Sequence, residues 1–256
     1  MESIFKMTSK VRVYPTKNLI ADPLCDIVLD IASSSIKSNG KFCLGVSGGS
    51  MINMLESLST RASNVEKWFI FMCDERYCTV NDQDSNCGSY KRIWGEKSAI
   101  SSRLFPADVS LSLSECAMAY ESDIKTNIPY SQNNLPVFDL LLLGMGPDGH
   151  TCSLFPERPQ ISCKDSAVTL IDNSPKPPPR RITITLPVIN AAKNVFIITT
   201  GKEKAENVLK CTRRTDLSLP VANVAPATGV EWILDAAAAH ELFPDTEFSE
   251  VQIFNL

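Results

Sequence analysis

The stretch CLGVSGGSM, Cys43 to Met51, decides how this chain is read. An apolar run enters it, small residues fill its centre, and apolar residues leave it at helical spacing: Met51, Met54, Leu55 and Leu58. That order predicts a buried strand, a tight turn and a helix. The same letters contain G-x-S-x-G, running from Gly45 through Ser47 to Gly49. Two chemistries fit. Ser47 could be a nucleophile on a strand-to-helix elbow. Alternatively Ser47, Gly48, Gly49 and Ser50 could form a loop whose backbone N–H groups cradle an anion at a helix start.

The strand pattern recurs outward from this point. FCLGV (42–46), WFIFM (68–72), FDLLLL (138–143), RITITL (181–186) and NVFIIT (194–199) are short, apolar or β-branched, and bounded by breakers. KEKAENVLK (202–210) and LDAAAAHEL (234–242) read as helices. Nearly unbroken apolar strands separated by helices imply a parallel sheet covered on both faces. The expected fold is α/β and Rossmann-like: a single doubly wound, mostly parallel sheet with helices on both sides. No internal repeat is evident, and the Pro-rich NSPKPPPRR (173–181) is too short for a linker. Residues 1–256 are therefore expected to form a single domain.

Bulk properties narrow the function classes. Lys plus Arg number 25 against 29 Asp plus Glu, a net charge of -4. Wrapping a nucleic acid demands a clear basic surplus, so that class is excluded, while a small anionic ligand is not. Nine cysteines are scattered without a C-x-x-C pair. This argues against a zinc ribbon or a thioredoxin-like motif and for a reducing, cytoplasmic setting. The start, MESIFKMTSKVRVY, has no apolar leader core, and no run reaches the ~18 apolar residues of a membrane span.

In open α/β sheets ligands bind beyond the carboxyl ends of the strands. The loops there are SGGS (47–50), CDER (73–76), GMGPDGH (144–150) and TGKEK (200–204). In the second, Asp74 and Arg76 are two apart and share a side if extended. The third spells G-x-G-x-x-G, yet Pro147 lies inside it and Pro156 soon follows. No long helix can start there, so the dinucleotide fingerprint is rejected. The same loop supplies Asp148 and His150, an acid two residues from an imidazole suited to general-base work. Lys204 falls in the first turn of a helix, against the dipole. Arg181 follows three prolines that stiffen its approach. His240, in AAAAHEL, reads as a helix-interior histidine rather than a triad member.

GVSGGS, CDER with DSN ten residues on, GMGPDGHTCSLFP, SPKPPPRRITITLPVINAA, TGKEKA and WILDAAAA together resemble the 6-phosphogluconolactonase family, over about residues 42–240. The related glucosamine-6-phosphate deaminases resemble MDEY and DGHIAFNEP instead. Arg76 and the Ser153-Leu154-Phe155-Pro156 tail favour the lactonase. Cys78-Thr79 departs from the Val-Pro found after D-E-R in many members. The resemblance implies hydrolysis of 6-phospho-D-glucono-1,5-lactone to 6-phospho-D-gluconate in the oxidative pentose phosphate pathway. It also implies no metal and no organic cofactor, and a small sugar phosphate as partner. On that footing His150 is the expected general base, oriented by Asp148. Ser47, Gly48, Gly49, Ser50, Asp74, Arg76, Arg181 and Lys204 are the expected substrate and phosphate contacts. A monomer or weak homo-oligomer is expected. A deaminase or isomerase, and a non-catalytic sugar-phosphate binder, stand as alternatives.

Overall fold

The computed structural model describes residues 9–256, so the first eight residues, part of the segment read for a leader, lie outside it. In chain order the strands are β1 (Lys10–Tyr14), β2 (Phe42–Val46), β3 (Trp68–Met72), β4 (Asp74–Arg76), β5 (Leu104–Phe105), β6 (Leu140–Gly144), β7 (Val168–Ile171), β8 (Arg181–Ile184), β9 (Val195–Thr199), β10 (Val230–Asp235) and β11 (Gln252–Asn255). The helices are α1 (Ala21–Asn39), α2 (Met51–Met54), α3 (Leu58–Arg61), α4 (Asn86–Trp94), α5 (Leu113–Asn127), α6 (Leu186–Ala191), α7 (Ala205–Arg213) and α8 (Ala236–Ala239).

Side chains in a strand point alternately to opposite faces. Here both faces are buried, which is why the strands read as unbroken apolar runs. In β6, Leu141 and Leu143 enter one apolar cluster while Leu140 and Leu142 enter the other. The first cluster is closed by Cys116 and Ile124 of α5, Val188 of α6, Val208 of α7 and Ala239 of α8. The second is closed by Leu24 and Val28 of α1, Met51 of α2, Leu58 of α3 and Tyr90 of α4. The early helices thus cover one face and the late helices the other. The eight-stranded sheet has the order β11-β1-β10-β9-β6-β2-β3-β5. All its neighbours run parallel except β11, which pairs antiparallel with β1.

Four details depart from the sequence expectation. RITITL does not join the main sheet: β8 lies antiparallel between β4 and β7 in a second, three-stranded sheet, and Pro187 at the start of α6 ends it. The helix expected after SGGS breaks into α2 and α3, because Cys25 Sγ and Trp94 Nε1 donate to the carbonyls of Met54 and Leu55. β6 begins only at Leu140, since the Asp139 carboxylate accepts the Cys43 N–H at 2.9 Å. LDAAAAHEL splits between β10 and the four-residue α8, which Asp235 caps by accepting the Ala238 N–H, and His240 lies exposed just past its end.

β5 reaches only to Phe71 of β3, so the backbone of Met72 extends past its last partner strand on that side. The Tyr120 hydroxyl takes the strand's place, accepting the Met72 N–H at 2.7 Å and donating to its carbonyl at 3.1 Å. Tyr120→Phe should destabilise the fold by about 1–3 kcal/mol, the cost of an orphaned buried N–H. Urea unfolding monitored by tryptophan fluorescence measures it.

Candidate active site

From β2 the chain leaves toward β3 and β5 on one side of the sheet, and later returns through β6 on the other. The crevice between the carboxyl ends of β2 and β6 is therefore the topological switch point, where such sheets bind ligands. A cleft of about 180 Å³ opens there. Ser47, Gly48, Gly49, Ser50, Asp74, Arg76, His150, Arg181 and Lys204 all line it, and Asp148 stands behind His150. The four sequence-distant loops converge because each follows a strand of the main sheet.

The first loop is pinned by its backbone: Ser47 donates its N–H to Leu142 and accepts the Tyr90 hydroxyl on its carbonyl. Its Oγ is buried and has no hydrogen-bond partner among the described residues. No base engages it, so the geometry of an activated serine is missing. Gly48 admits no side chain, for a Cβ there would lie 1.9 Å from Asn86 Oδ1. Asn86 in turn donates to the Asp74 carbonyl at 2.8 Å, sealing the loop against β4. Because α2 is a single turn, its dipole adds little at this loop. Cationic side chains must supply the charge for an anion.

Asp74 and Arg76 reach the cleft from the same side of β4, while Glu75 points the other way. Its buried carboxylate accepts the N–H groups of Arg76, Asn86 and Cys87 and the Ser85 hydroxyl. Burial raises its carboxyl above the ordinary range, and the N–H bonds only partly offset this. Glu75 thus welds the start of α4 to β4, a role that sequence reasoning missed. The available signal was DSN ten residues on, whose Ser85 caps α4. Asp74 accepts Ser153 Oγ at 2.7 Å, and Arg76 Nη1 donates to the Asp84 carbonyl while its buried Nε has no partner among the described residues.

Arg181 lines the cleft, yet much of its guanidinium is committed elsewhere. Nε donates to Pro178, Nη2 to Lys176 and Pro177, all at 2.9 Å, and Nη1 to Ser153 Oγ at 3.3 Å. The stiffness runs opposite to the sequence expectation: Arg181 holds the proline loop as much as the prolines hold Arg181. Lys204 immediately precedes α7 without a side-chain capping bond, and no carboxylate lies in ion-pair range of it among the described residues. Burial pushes its ammonium below the usual lysine range, against the pull of Glu203 and Asp235.

The imidazole of His150 stacks on Phe155, with ring centroids 4.6 Å apart. Its Nδ1 meets Asp148 Oδ1 at 2.5 Å, and Lys176 Nζ lies 3.1 Å from that oxygen and 3.2 Å from Nδ1. With Nδ1–H on the carboxylate, Nε2 is the ring nitrogen left to accept a proton. Burial lowers the His150 pKa, Asp148 opposes this, and the Lys176 charge adds to the lowering. Burial alone would raise the Asp148 carboxyl, but its bonds from His150 and Lys176 hold it below the usual range. Lys176 was not singled out in the sequence, because only the fold brings SPKPPP to DGH. Among the described residues no three His, Cys, Asp or Glu side chains converge as a metal-ligand set.

The family of glucosamine-6-phosphate isomerases/6-phosphogluconolactonase matches residues 15–233. The chain belongs to this family. A relative from Rattus norvegicus, 6-phosphogluconolactonase, is 36% identical over 241 residues, covering 91% of this chain and 93% of its own. One from Bos taurus with the same name is 35% identical, with 91% and 93% covered. Among solved structures, the 6-phosphogluconolactonase from Trypanosoma brucei superposes with a TM-score of 0.82 at 25% identity, covering 93% of this chain and all of its own. A monomeric glucosamine-6-phosphate deaminase shares the fold at a TM-score of 0.65 and 19% identity.

Two outcomes test this geometry. A Cβ on Gly146 would lie 2.1 Å from the His150 ring, so Gly146→Ala must displace the imidazole. A drop of roughly a hundredfold in kcat, with ligand affinity largely kept, is expected for a misplacement of that size. Lys176→Met removes a positive neighbour, so the His150 pKa should rise, as read by NMR titration of the imidazole. Below that pKa the ring is protonated and cannot act as a base, so the acid limb of activity should move to higher pH.

Proposed function

We propose that the chain hydrolyses 6-phospho-D-glucono-1,5-lactone to 6-phospho-D-gluconate, with His150 as general base and no covalent intermediate. The observation that carries this is the 2.5 Å contact of Asp148 Oδ1 with His150 Nδ1, which favours the tautomer that leaves Nε2 free to take a proton. A water beside Nε2 attacks C1 of the lactone and its proton passes to the imidazole. Charge gathers on the carbonyl oxygen, the C1–ring-oxygen bond breaks, and the ring oxygen takes a proton. Asp148 balances the imidazolium that forms in between. A lactone is an activated ester, so one positioned water and one base suffice.

The substrate's phosphate rests on Ser47, Gly48, Gly49 and Ser50, with Arg76 and Lys204 supplying charge and Arg181 completing the wall. Charge-assisted bonds from such donors are short and strong. Asp74 holds sugar hydroxyls and braces Arg181, whose Nη1 lies 3.9 Å away. The curated relatives named 6-phosphogluconolactonase, at 35–36% identity, support the lactonase over the deaminase reading, whose structural likeness reaches the fold alone. The enzyme works as one domain spanning 1–256, as a monomer or weak homo-oligomer. A cytoplasmic setting is supported by nine free cysteines.

Acid release from freshly made phosphogluconolactone, with spontaneous opening subtracted, tests the reaction directly, with ammonia release from glucosamine 6-phosphate as the counter-assay. His150→Ala should lower kcat by roughly two to four powers of ten. Ser47→Ala should mainly raise KM, whereas complete loss of turnover with intact phosphate affinity would restore serine as the nucleophile.

A further inference from the structure

Two thiols, Cys152 in the wall of the cleft and Cys73 in the core behind it, take no part in the hydrolytic chemistry. Cys152 lines the cleft two residues beyond His150, held in the left-handed backbone region at φ 51°. Cys73 joins β3 to β4 and is sealed from solvent. Their chain neighbours clamp the two segments together. Ser153 Oγ donates to Asp74 Oδ2 at 2.7 Å, and the Ser153 N–H donates to Thr183 Oγ1, which itself donates to the Cys73 carbonyl. Both thiols belong to one apolar cluster. After burial, Cys152 is the neighbour that most disfavours ionisation of Cys73. The more exposed thiols, Cys78 and Cys163, lie outside the cleft, and Cys163 Sγ sits 3.4 Å from Ser166 Oγ.

We propose that Cys152 is a modification site for hydroperoxides and Cys73 its resolving thiol, so that a Cys73–Cys152 disulfide reversibly disables the cleft. The division of labour follows from access. Cys152, 7% exposed, borders the cleft, so a small peroxide meets it there, while Cys73, 1% exposed, meets only an electrophile already beside it. In the first step the Cys152 thiolate attacks one peroxide oxygen. The O–O bond breaks, the alcohol or water leaves with the thiol's proton, and Cys152 becomes a sulfenic acid. In the second step Cys73 sulfur attacks Cys152 sulfur. The hydroxyl leaves as water with the Cys73 proton, and the S–S bond forms. Two thiols have then given two electrons to one peroxide, and a dithiol reductant reverses the change. The bridge ties Cys152 to the end of β3 and so shifts the backbone that carries His150. That effect on turnover rests on His150 as the base; the bridge itself does not.

The test treats wild-type protein with stoichiometric hydrogen peroxide, then maps peptides under non-reducing conditions and assays lactone hydrolysis. A linked Cys73–Cys152 peptide is expected, with loss of most activity and recovery in dithiothreitol. Dimedone added during oxidation should label Cys152 first in the wild type. In Cys73→Ala no bridge should form, the label on Cys152 should accumulate, and inactivation by excess peroxide should no longer reverse. Oxidation that begins at Cys78 or Cys163 while Cys152 stays reduced would overturn the assignment of the site. A linked peptide with undiminished turnover would overturn the disabling role. The peptide map reads the modification even if the protein hydrolyses no lactone, so the two failures are distinguishable.

Discussion

An imidazole has two nitrogens, and this fold commits one of them. Asp148 Oδ1 meets Nδ1 of His150 at 2.5 Å; with the proton on that side, Nε2 is the acceptor, as the proposed base requires. Much of the surrounding structure serves that commitment. Gly146 leaves room for the ring, Phe155 backs it, and Lys176 shares with the ring the same Asp148 oxygen. Arg181 then fixes the carbonyls of Lys176, Pro177 and Pro178, so the lysine arrives on a braced loop rather than a free one. The opposing influences of Asp148 and Lys176 matter as much as the contacts. A carboxylate alone would favour the charged imidazole. Burial and the ammonium favour the neutral, basic form.

The sheet supplies the second requirement, convergence. Loops more than a hundred residues apart meet because β2 and β6 are neighbours and the chain departs from them in opposite directions. The small antiparallel sheet adds what the large one lacks. Through β4 and β8 it sets Arg76 opposite Arg181, two cations on one wall of the cleft. Two like charges so placed are tolerated because Asp74 lies beside Arg181 and the Asp84 carbonyl receives Arg76. Glu75 holds this wall to α4, and Asn86, bonded to the Asp74 carbonyl, packs against Gly48 of the glycine loop.

Much of this was legible in the residues. Unbroken apolar runs such as WFIFM and FDLLLL announced strands buried on both faces, and the strand-end rule placed SGGS, CDER, DGH and TGKEK on one edge. Harder to read was whatever depended on tertiary neighbours. RITITL has the same local composition as a central strand, and only its partners β4 and β7 assign it to the small sheet. The break between α2 and α3 comes from Cys25 and Trp94, donors remote in the chain. Lys176 and Glu75 escaped notice for related reasons. One acts across a loop-to-loop contact, and the other points away from the cleft its neighbours line.

In the proposed substrate pose His150 faces the scissile carbon while the glycine loop and the cations of Arg76 and Lys204 hold the phosphate. A crystal structure of the wild-type protein with 6-phospho-D-gluconate tests both ends of the substrate at once. In that pose a C1 carboxylate oxygen lies within hydrogen-bond distance of His150 Nε2 and the phosphate lies on the Ser47–Ser50 backbone. A product bound in the reverse sense, or with C1 against Ser47 Oγ and away from His150, would contradict it.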